Sequence, residues 1–155
     1  MMPTPETEKM RARIEERLKA APQCRINAML DIELVDCSYE ERTARLAFGV
    51  HEWMLNPAGI LHGGVMATFF DISMGGLAVY LNDDVLSPTA NLSVNFVRPV
   101  QSGERVTIEA RCHHSGRTMT QTSATAYSSA CDAECAYATA IFSKSTPNAP
   151  NAPKT

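Results

Sequence analysis

One stretch of the chain, residues 56–80, combines turn-forming residues and a histidine with the longest apolar run of the sequence. Asn56 precedes a proline, and His62 precedes two glycines, Gly63 and Gly64. These residues lead into an apolar segment without proline, which predicts a helix that begins near residue 62 or 64.

Asp71 is the only carboxylate of this stretch, and it lies between Phe70 and Ile72. An aspartate among apolar neighbours is often structural, with its oxygens satisfied by a nearby loop. A glycine-rich helix start upstream favours the other interpretation, in which the carboxylate is a catalytic group. Asp71 is therefore our candidate catalytic residue.

The predicted helix has apolar residues on every face, so it is either a membrane span or the buried centre of a fold. Asp71, Ser73 and the pair Gly75 and Gly76 favour the buried centre. Glycines inside a helix are destabilising and are tolerated where another backbone comes close. We therefore expect a sheet that wraps around this helix.

The spacing of His62 and Asp71 constrains how they can cooperate. Nine residues of helix correspond to a rise of about 13 Å and about two and a half turns, so the two side chains point in nearly opposite directions. If the helix start and Asp71 serve one site, they must come from two copies of the helix. The sequence therefore predicts a site shared across a dimer interface.

Composition limits the class of protein. The chain has 155 residues, of which 45% are hydrophobic and 20% charged, which suits one domain with its own core. A net charge of −3 and a pI near 5.8 argue against nucleic acid as a partner. Because the N-terminus has no apolar signal core and the one long apolar run contains Asp71, we expect a cytoplasmic protein without a membrane span.

The cysteines predict neither a disulfide framework nor a metal site. Five cysteines at irregular spacing in a chain with its own core suit reduced thiols. Paired short-spaced ligand motifs are absent from the sequence, so we expect no metal site. The cysteines are Cys24, Cys37, Cys112, Cys131 and Cys135.

The remaining chain predicts one helix and a set of strands. Thr4 and Pro5 are typical of a helix start, and Met10, Ile14 and Leu18 then recur at every fourth position. Alternating or β-favouring segments predict strands joined mostly by short turns. These segments are 28–37, 43–50, 89–97, 105–113, 118–127 and 135–143.

Together, the predicted helices and strands indicate an α+β arrangement in which an antiparallel sheet covers a central long helix. We expect an edge helix at residues 1–22, where function need not be sought, a folded domain at 23–144 and a disordered tail at 145–155. The tail is rich in Pro, Asn and Ala.

With these features in hand, the sequence resembles a hotdog-fold acyl-CoA thioesterase of the phenylacetic-acid-degradation (PaaI-like) type over residues 28–143. The combined spacing is specific, although an isolated HGG would be weak. The resemblance rests on Asn56 with Gly59, the turn of His62, Gly63 and Gly64, Asp71 nine residues after the histidine, and a strand from Thr89 to Phe96 followed by Arg98 and Pro99.

The resemblance implies roles for residues that the spacing alone does not assign. Asp71 would be a general base or a nucleophile towards the thioester carbonyl, and a backbone N–H of Gly63 or Gly64 would stabilise the oxyanion. Asn56 would orient the attacking water or the partners of Asp71. His62 would position the thioester, and Thr89 would supply a hydroxyl near the carboxylate.

The resemblance also implies an acyl-CoA substrate, no organic cofactor, and a homodimer with sheets joined edge to edge, with two dimers paired into a tetramer. Arg98, Gly116, Arg117 and Thr118 would meet the phosphates of coenzyme A. Candidates for the acyl pocket, which could equally be plain core, are Phe70, Met74, Tyr80 and Trp53.

Two alternatives remain for the function. One is a hotdog protein that binds acyl-CoA without turnover, against which the presence of Asp71 with Asn56 and His62 argues. The other is a hydratase acting on enoyl thioesters, which would need a histidine and an acidic residue placed as a pair. The position of His62 at the helix start fits the thioesterase better.

Overall fold

The computed structural model describes residues 2–22 and 25–144, so the predicted tail at 145–155 and Cys24 lie outside the described residues. The described part forms three α-helices, one turn of 3-10 helix at Glu52–Met54 and six strands. The helices are α1 (Pro5–Lys19), α2 (Ile26–Met29) and α3 (Gly63–Leu81); the strands are β1 (Ile32–Ser38), β2 (Thr43–Gly49), β3 (Thr89–Phe96), β4 (Arg105–Ser115), β5 (Met119–Ser128) and β6 (Ala133–Ser143).

The six strands form one sheet in the order β1-β2-β4-β5-β6-β3, and every neighbouring pair is antiparallel. The first two strands form an antiparallel hairpin. Because β3 joins the far side of β6, the sheet has β1 at one edge and β3 at the other.

α3 packs against one face of this sheet and contacts β2 to β6. The sheet residues facing it are mostly small, such as Ala110, Ala126 and Ala138, so the helix can lie close. Phe69 of α3 stacks on Phe48 of β2 with ring centroids 4.4 Å apart. By length and composition alone α3 could span a membrane, but here it forms the centre of the packed core. The predicted hotdog architecture is confirmed.

The ends of α3 follow local rules. His62 is the N-cap residue, and its ring accepts a hydrogen bond from the backbone of Gly64. After Leu81 the chain leaves the helix through Asp83 and Asp84, which have φ values of 52° and 64°. Aspartate adopts this left-handed conformation more readily than most residues. These two residues therefore allow the chain to turn away from the helix axis.

The N-terminal helix α1 joins the same core. Thr4 caps it by accepting a hydrogen bond from the Thr7 backbone, and Pro5 occupies its first turn. Met10 is fully buried and Ile14 nearly so, both within the hydrophobic cluster that surrounds α3. α1 therefore packs into the domain through its apolar stripe.

The first strand begins later than its composition predicts, so the predicted start at residue 28 is wrong. Ala28 and Met29 belong to the short helix α2. β1 pairs with β2 only from Ile32 onward, and the Gly49 N–H donates to the Asp31 carbonyl where β2 ends. Residues before Asp31 have no strand to pair with and take helical hydrogen bonds instead.

The two glycines inside α3 make a matched pair for a stability test. A Cβ at Gly76 would meet no atom within 4 Å, whereas a Cβ at Gly75 would lie 3.2 Å from the ring of buried Phe142. Gly76→Ala is expected to raise the free energy of unfolding by about 0.5–1 kcal/mol, because alanine restricts the unfolded chain and favours helix. Gly75→Ala is expected to gain less or to lose stability.

Urea unfolding of the two variants beside the native protein measures the difference. Equal gains at both positions would contradict the close approach of Phe142 to α3.

Candidate active site

Asp71 lies in the middle of α3, and Thr89 is the first residue of β3. The Thr89 hydroxyl donates to Asp71 Oδ1 at 2.7 Å. Among the described residues no group donates to the second oxygen, Oδ2. Asp71 is partly exposed, so this carboxylate is fixed on one side and open to a substrate on the other.

His62 and the two glycines form the start of α3. The His62 Nδ1 accepts from the Gly64 N–H at 2.9 Å. A neutral imidazole that accepts at Nδ1 carries its proton on Nε2, so the exposed side of the ring is a donor. In the described part of the chain the Gly63 N–H has no acceptor. Of the two predicted oxyanion donors, Gly63 is therefore the available one.

Asn56 organises the loop that leads to this helix start. Its Oδ1 accepts from the backbone N–H groups of Ala58 at 2.9 Å and Ile60 at 3.3 Å. Its own backbone N–H donates to the Ile60 carbonyl. Because the oxygen is held by the turn, the side-chain amide NH₂ is the part that can face a ligand.

A cavity of about 520 Å³ brings Asn56 and Gly63 together with Phe96, Val97 and Arg98. Phe96 lies over the helix start, since a Cβ at Gly63 would come within 3.2 Å of its ring. Arg98 donates through Nη1 to the Glu134 carbonyl. The helix start is thus tied to the end of β3.

Within one chain, these two groups of residues stay apart. We call Asp71 and Thr89 the acid end, and Asn56, His62 and Gly63 the amide end. Eight residues of α3 place Asp71 about 12 Å along the helix from Gly63. The strand β3 separates Thr89 from Phe96 by about 23 Å. Each end lines its own cavity.

The turn that contains Gly116, Arg117 and Thr118 joins β4 to β5 at the acid end. The beginning of β5 pairs with the last residues of β6, and those residues also pair with Thr89. The Gly116 N–H and the Thr118 carbonyl are used within the sheet. Arg117 is exposed, so its guanidinium faces solvent beside the acid end.

The predicted acyl-pocket residues do not line the cavity beside Asp71. Phe70 and Met74 are fully buried core residues, and Trp53 is 55% exposed. Tyr80 packs edge-on against Tyr39 instead. The cavity beside Asp71, of about 500 Å³, includes residues of α1, which was predicted to be an edge helix without a function. The apolar residues at every fourth position of α1 were the sequence pattern that could have indicated this role.

The described cysteines are free thiols. Burial raises the pKa of the Cys37 and Cys112 thiols and raises the pKa of Cys135 to about 11. A thiol held neutral in this way is a poor nucleophile. Within residues 2–22 and 25–144, no group of three His, Cys, Asp or Glu side chains is placed to hold a metal ion.

Comparison with known proteins assigns the family. The model of the thioesterase superfamily matches residues 58–135, which include Asp71, Gly63 and Thr89. The chain belongs to the thioesterase superfamily.

Relatives of this superfamily member include SSO2140 of Saccharolobus solfataricus, a protein named as a candidate esterase. It is 32% identical over 106 residues, covering 68% of this chain and 72% of the relative. The acyl-coenzyme A thioesterase THEM4 of Xenopus laevis is 37% identical over 71 residues, covering 46% of this chain but only 31% of that protein.

Solved structures match over most of this thioesterase-superfamily chain. The PaaI protein of the E. coli phenylacetic acid degradation operon has a TM-score of 0.76 at 16% identity, covering 90% of this chain and 96% of that one. The smu.793 protein of Streptococcus mutans, bound to acetyl-CoA, has a TM-score of 0.68 at 24% identity, covering 81% and 96%. The fold and family predicted from the sequence are confirmed.

The loop role of Asn56 can be separated from any role of its amide. Asn56→Ala removes the acceptor of two backbone N–H groups and is expected to lower the free energy of unfolding by about 1 kcal/mol. Asn56→Asp keeps an acceptor oxygen and is expected to stay within about 0.5 kcal/mol of the native protein. Urea unfolding of both variants measures this. If Asn56→Asp loses as much as Asn56→Ala, the Oδ1 contacts do not hold the loop.

Proposed function

We propose that this member of the thioesterase superfamily hydrolyses an acyl-CoA thioester to a carboxylic acid and free CoA. The observation that carries the proposal is the Asp71 carboxylate, held on one oxygen by Thr89 and open on the other. The relative named acyl-coenzyme A thioesterase, and the structural neighbour bound to acetyl-CoA, support coenzyme A as the thiol.

The acid and amide ends meet when two chains pair along β3. This strand is a sheet edge with the uncharged sequence TANLSVNF, and Phe96 at its end is 59% exposed. Edge strands are normally protected by charge or cover. The other edge, β1, carries Glu33 and Asp36 and packs against α1. We infer that β3 is left open because a second copy pairs with it.

Antiparallel pairing of two β3 strands joins opposite ends. In a register that pairs the two strands along their full length, the Thr89 end of one strand comes beside the Phe96 end of the other. Asp71 is bonded to the first end, and Gly63 lies under the second. A two-fold dimer therefore assembles two complete sites, each with one acid end and one amide end. Pairing of two such dimers into a tetramer is a further proposal that follows the family resemblance.

The chemistry then divides between two chains. Asp71 either takes a proton from water as it attacks the carbonyl or attacks the carbonyl itself to form an anhydride that water opens. The Gly63 N–H stabilises the oxyanion, the Asn56 amide orients water or carbonyl, and the His62 Nε2–H donates towards the thioester. When the C–S bond breaks, the CoA thiolate leaves and is protonated.

The phosphates of coenzyme A need cations and N–H donors. Arg117, with the turn residues Gly116 and Thr118, lies at the acid end of the sheet. Arg98 lies at the amide end. One of its guanidinium nitrogens donates a hydrogen bond to the Glu134 carbonyl, and its other N–H groups can donate to a phosphate. In the proposed dimer both groups come to the mouth of one site.

Asp71→Asn tests the proposed reaction. With the carboxylate replaced by an isosteric amide, kcat for release of free thiol from acyl-CoA should fall about a hundred- to ten-thousand-fold, the usual contribution of a general base. Asp83→Asn is the matched control, because Asp83 has a positive φ that asparagine also accepts and lies outside the site. The control should retain native activity.

A thiol reagent measures the release from phenylacetyl-CoA, benzoyl-CoA and medium-chain acyl-CoAs. Loss of activity in Asp71→Asn alone supports the proposal. Binding of CoA esters without thiol release by the native protein would favour a ligand-binding protein instead, and equal activity of the native and Asp71→Asn proteins would exclude Asp71.

A further inference from the structure

The cavity beside Asp71 runs along α3 towards its C-terminal end. On the helix it is lined by Asp71, Ile72, Gly75, Gly76 and Val79, which lie on adjacent turns of one face. From Asp71 to Val79 the helix rises about 12 Å. The cavity is therefore an elongated groove that starts at the catalytic carboxylate.

The rest of the lining comes from other parts of the chain. It includes residues 86–89, Phe142 of β6, and Ile14 and Leu18 of α1. Ile14 is nearly buried. A groove with apolar walls that begins at a carboxylate accepts the hydrocarbon part of a substrate whose reacting carbonyl is at that carboxylate.

The far end of the groove is charged. Asp84 follows the end of α3, and it pairs with Arg17 and with Arg13, whose Nε lies 2.9 Å from Oδ2. Arg17 and Asp84 both line the groove. Burying a methyl end against a charged pair is unfavourable, because the pair loses water without gaining a partner.

Gly76 sets the width of the groove near its middle. Nothing lies within 4 Å of where its Cβ would be, although the residue belongs to a well-packed helix. The neighbouring Gly75 is different, since its Cβ would meet Phe142. The space beside Gly76 is therefore part of the groove.

We propose that this groove binds the acyl chain of the substrate and limits its length. Residues of α1 form part of the groove, and the pair of Arg17 and Asp84 closes its far end. The substrate class is an acyl-CoA with a straight, saturated chain of medium length. The inference rests on the proposed thioesterase function and adds its chain-length selectivity. It assigns a specificity role to Gly76 and Arg17, and through Arg17 to the N-terminal helix.

The test is a chain-length profile of kcat/KM for saturated acyl-CoAs from acetyl to palmitoyl, with the full-length protein. For the native protein, kcat/KM should rise about fourfold for each methylene that the groove buries. It should reach its maximum between hexanoyl-CoA and decanoyl-CoA and fall for longer chains, which would meet Arg17.

Three variants locate the groove. Gly76→Val narrows it and should move the maximum to shorter chains, lowering the ratio of octanoyl to butyryl kcat/KM at least tenfold. Arg17→Met replaces one of the two charged groups at the end with an apolar side chain and should move the maximum to longer chains, while Arg13 still pairs with Asp84. Arg13→Gln is the matched control, because Arg13 pairs with the same carboxylate but does not line the groove, so its maximum should not move.

The outcomes separate the two proposals. Absence of thiol release from every acyl-CoA would overturn the proposed function, and with it this inference. Thiol release that depends on Asp71, with the same chain-length maximum in the native, Gly76→Val and Arg17→Met proteins, would overturn the groove alone. A shift in Arg13→Gln as large as in Arg17→Met would also overturn it, since the effect would then come from loosening α1. Urea unfolding of each variant verifies that it is folded under the assay conditions.

Discussion

The burial of α3 against one face of the sheet is the interaction on which the rest of the molecule depends. The helix has no polar stripe, so it is stable only when apolar surface covers it on most sides. Small residues such as Ala110 and Ala138 let the sheet come close, and stacked rings of Phe48 and Phe69 fix the contact. Because the helix is fixed, its start and its single carboxylate are fixed as well. The groove along α3 exists where Gly76 leaves the helix surface bare.

The same helix imposes a division of the site. The helical segment from Gly63 to Asp71 is rigid and about 12 Å long, so a single chain cannot bring these two residues together. The edge strand β3 resolves this, because it is bonded to Asp71 through Thr89 and covers Gly63 through Phe96. An uncharged open edge with one functional group at each end is suited to pairing with its own copy. In the proposed dimer, pairing of the two chains is therefore a requirement for catalysis.

Much of the fold and of the candidate site could be predicted from local sequence patterns. The apolar run of α3, its histidine-glycine start and the alternation of β4 each reflect a short-range rule, and all are present. The start of β1 was predicted wrongly, because it depends on where its partner β2 ends at Gly49. The choice of Gly63 over Gly64 depends on the ring orientation of His62. The part of α1 in the groove depends on its pairing with Asp84, 67 residues from Arg17. Such contacts are tertiary and have no local signature.

The most direct test of a site shared between two chains is complementation between Asp71→Asn and Asn56→Asp. The first variant disables the acid end and the second the amide end, and each should be inactive alone. Co-expressed with different tags, they form mixed dimers in which one of the two sites carries both native ends. Random mixing should restore about a quarter of the native thiol release, since half of the dimers are mixed and each has one intact site. No recovery in purified mixed dimers would contradict the shared site and place both ends in a single chain.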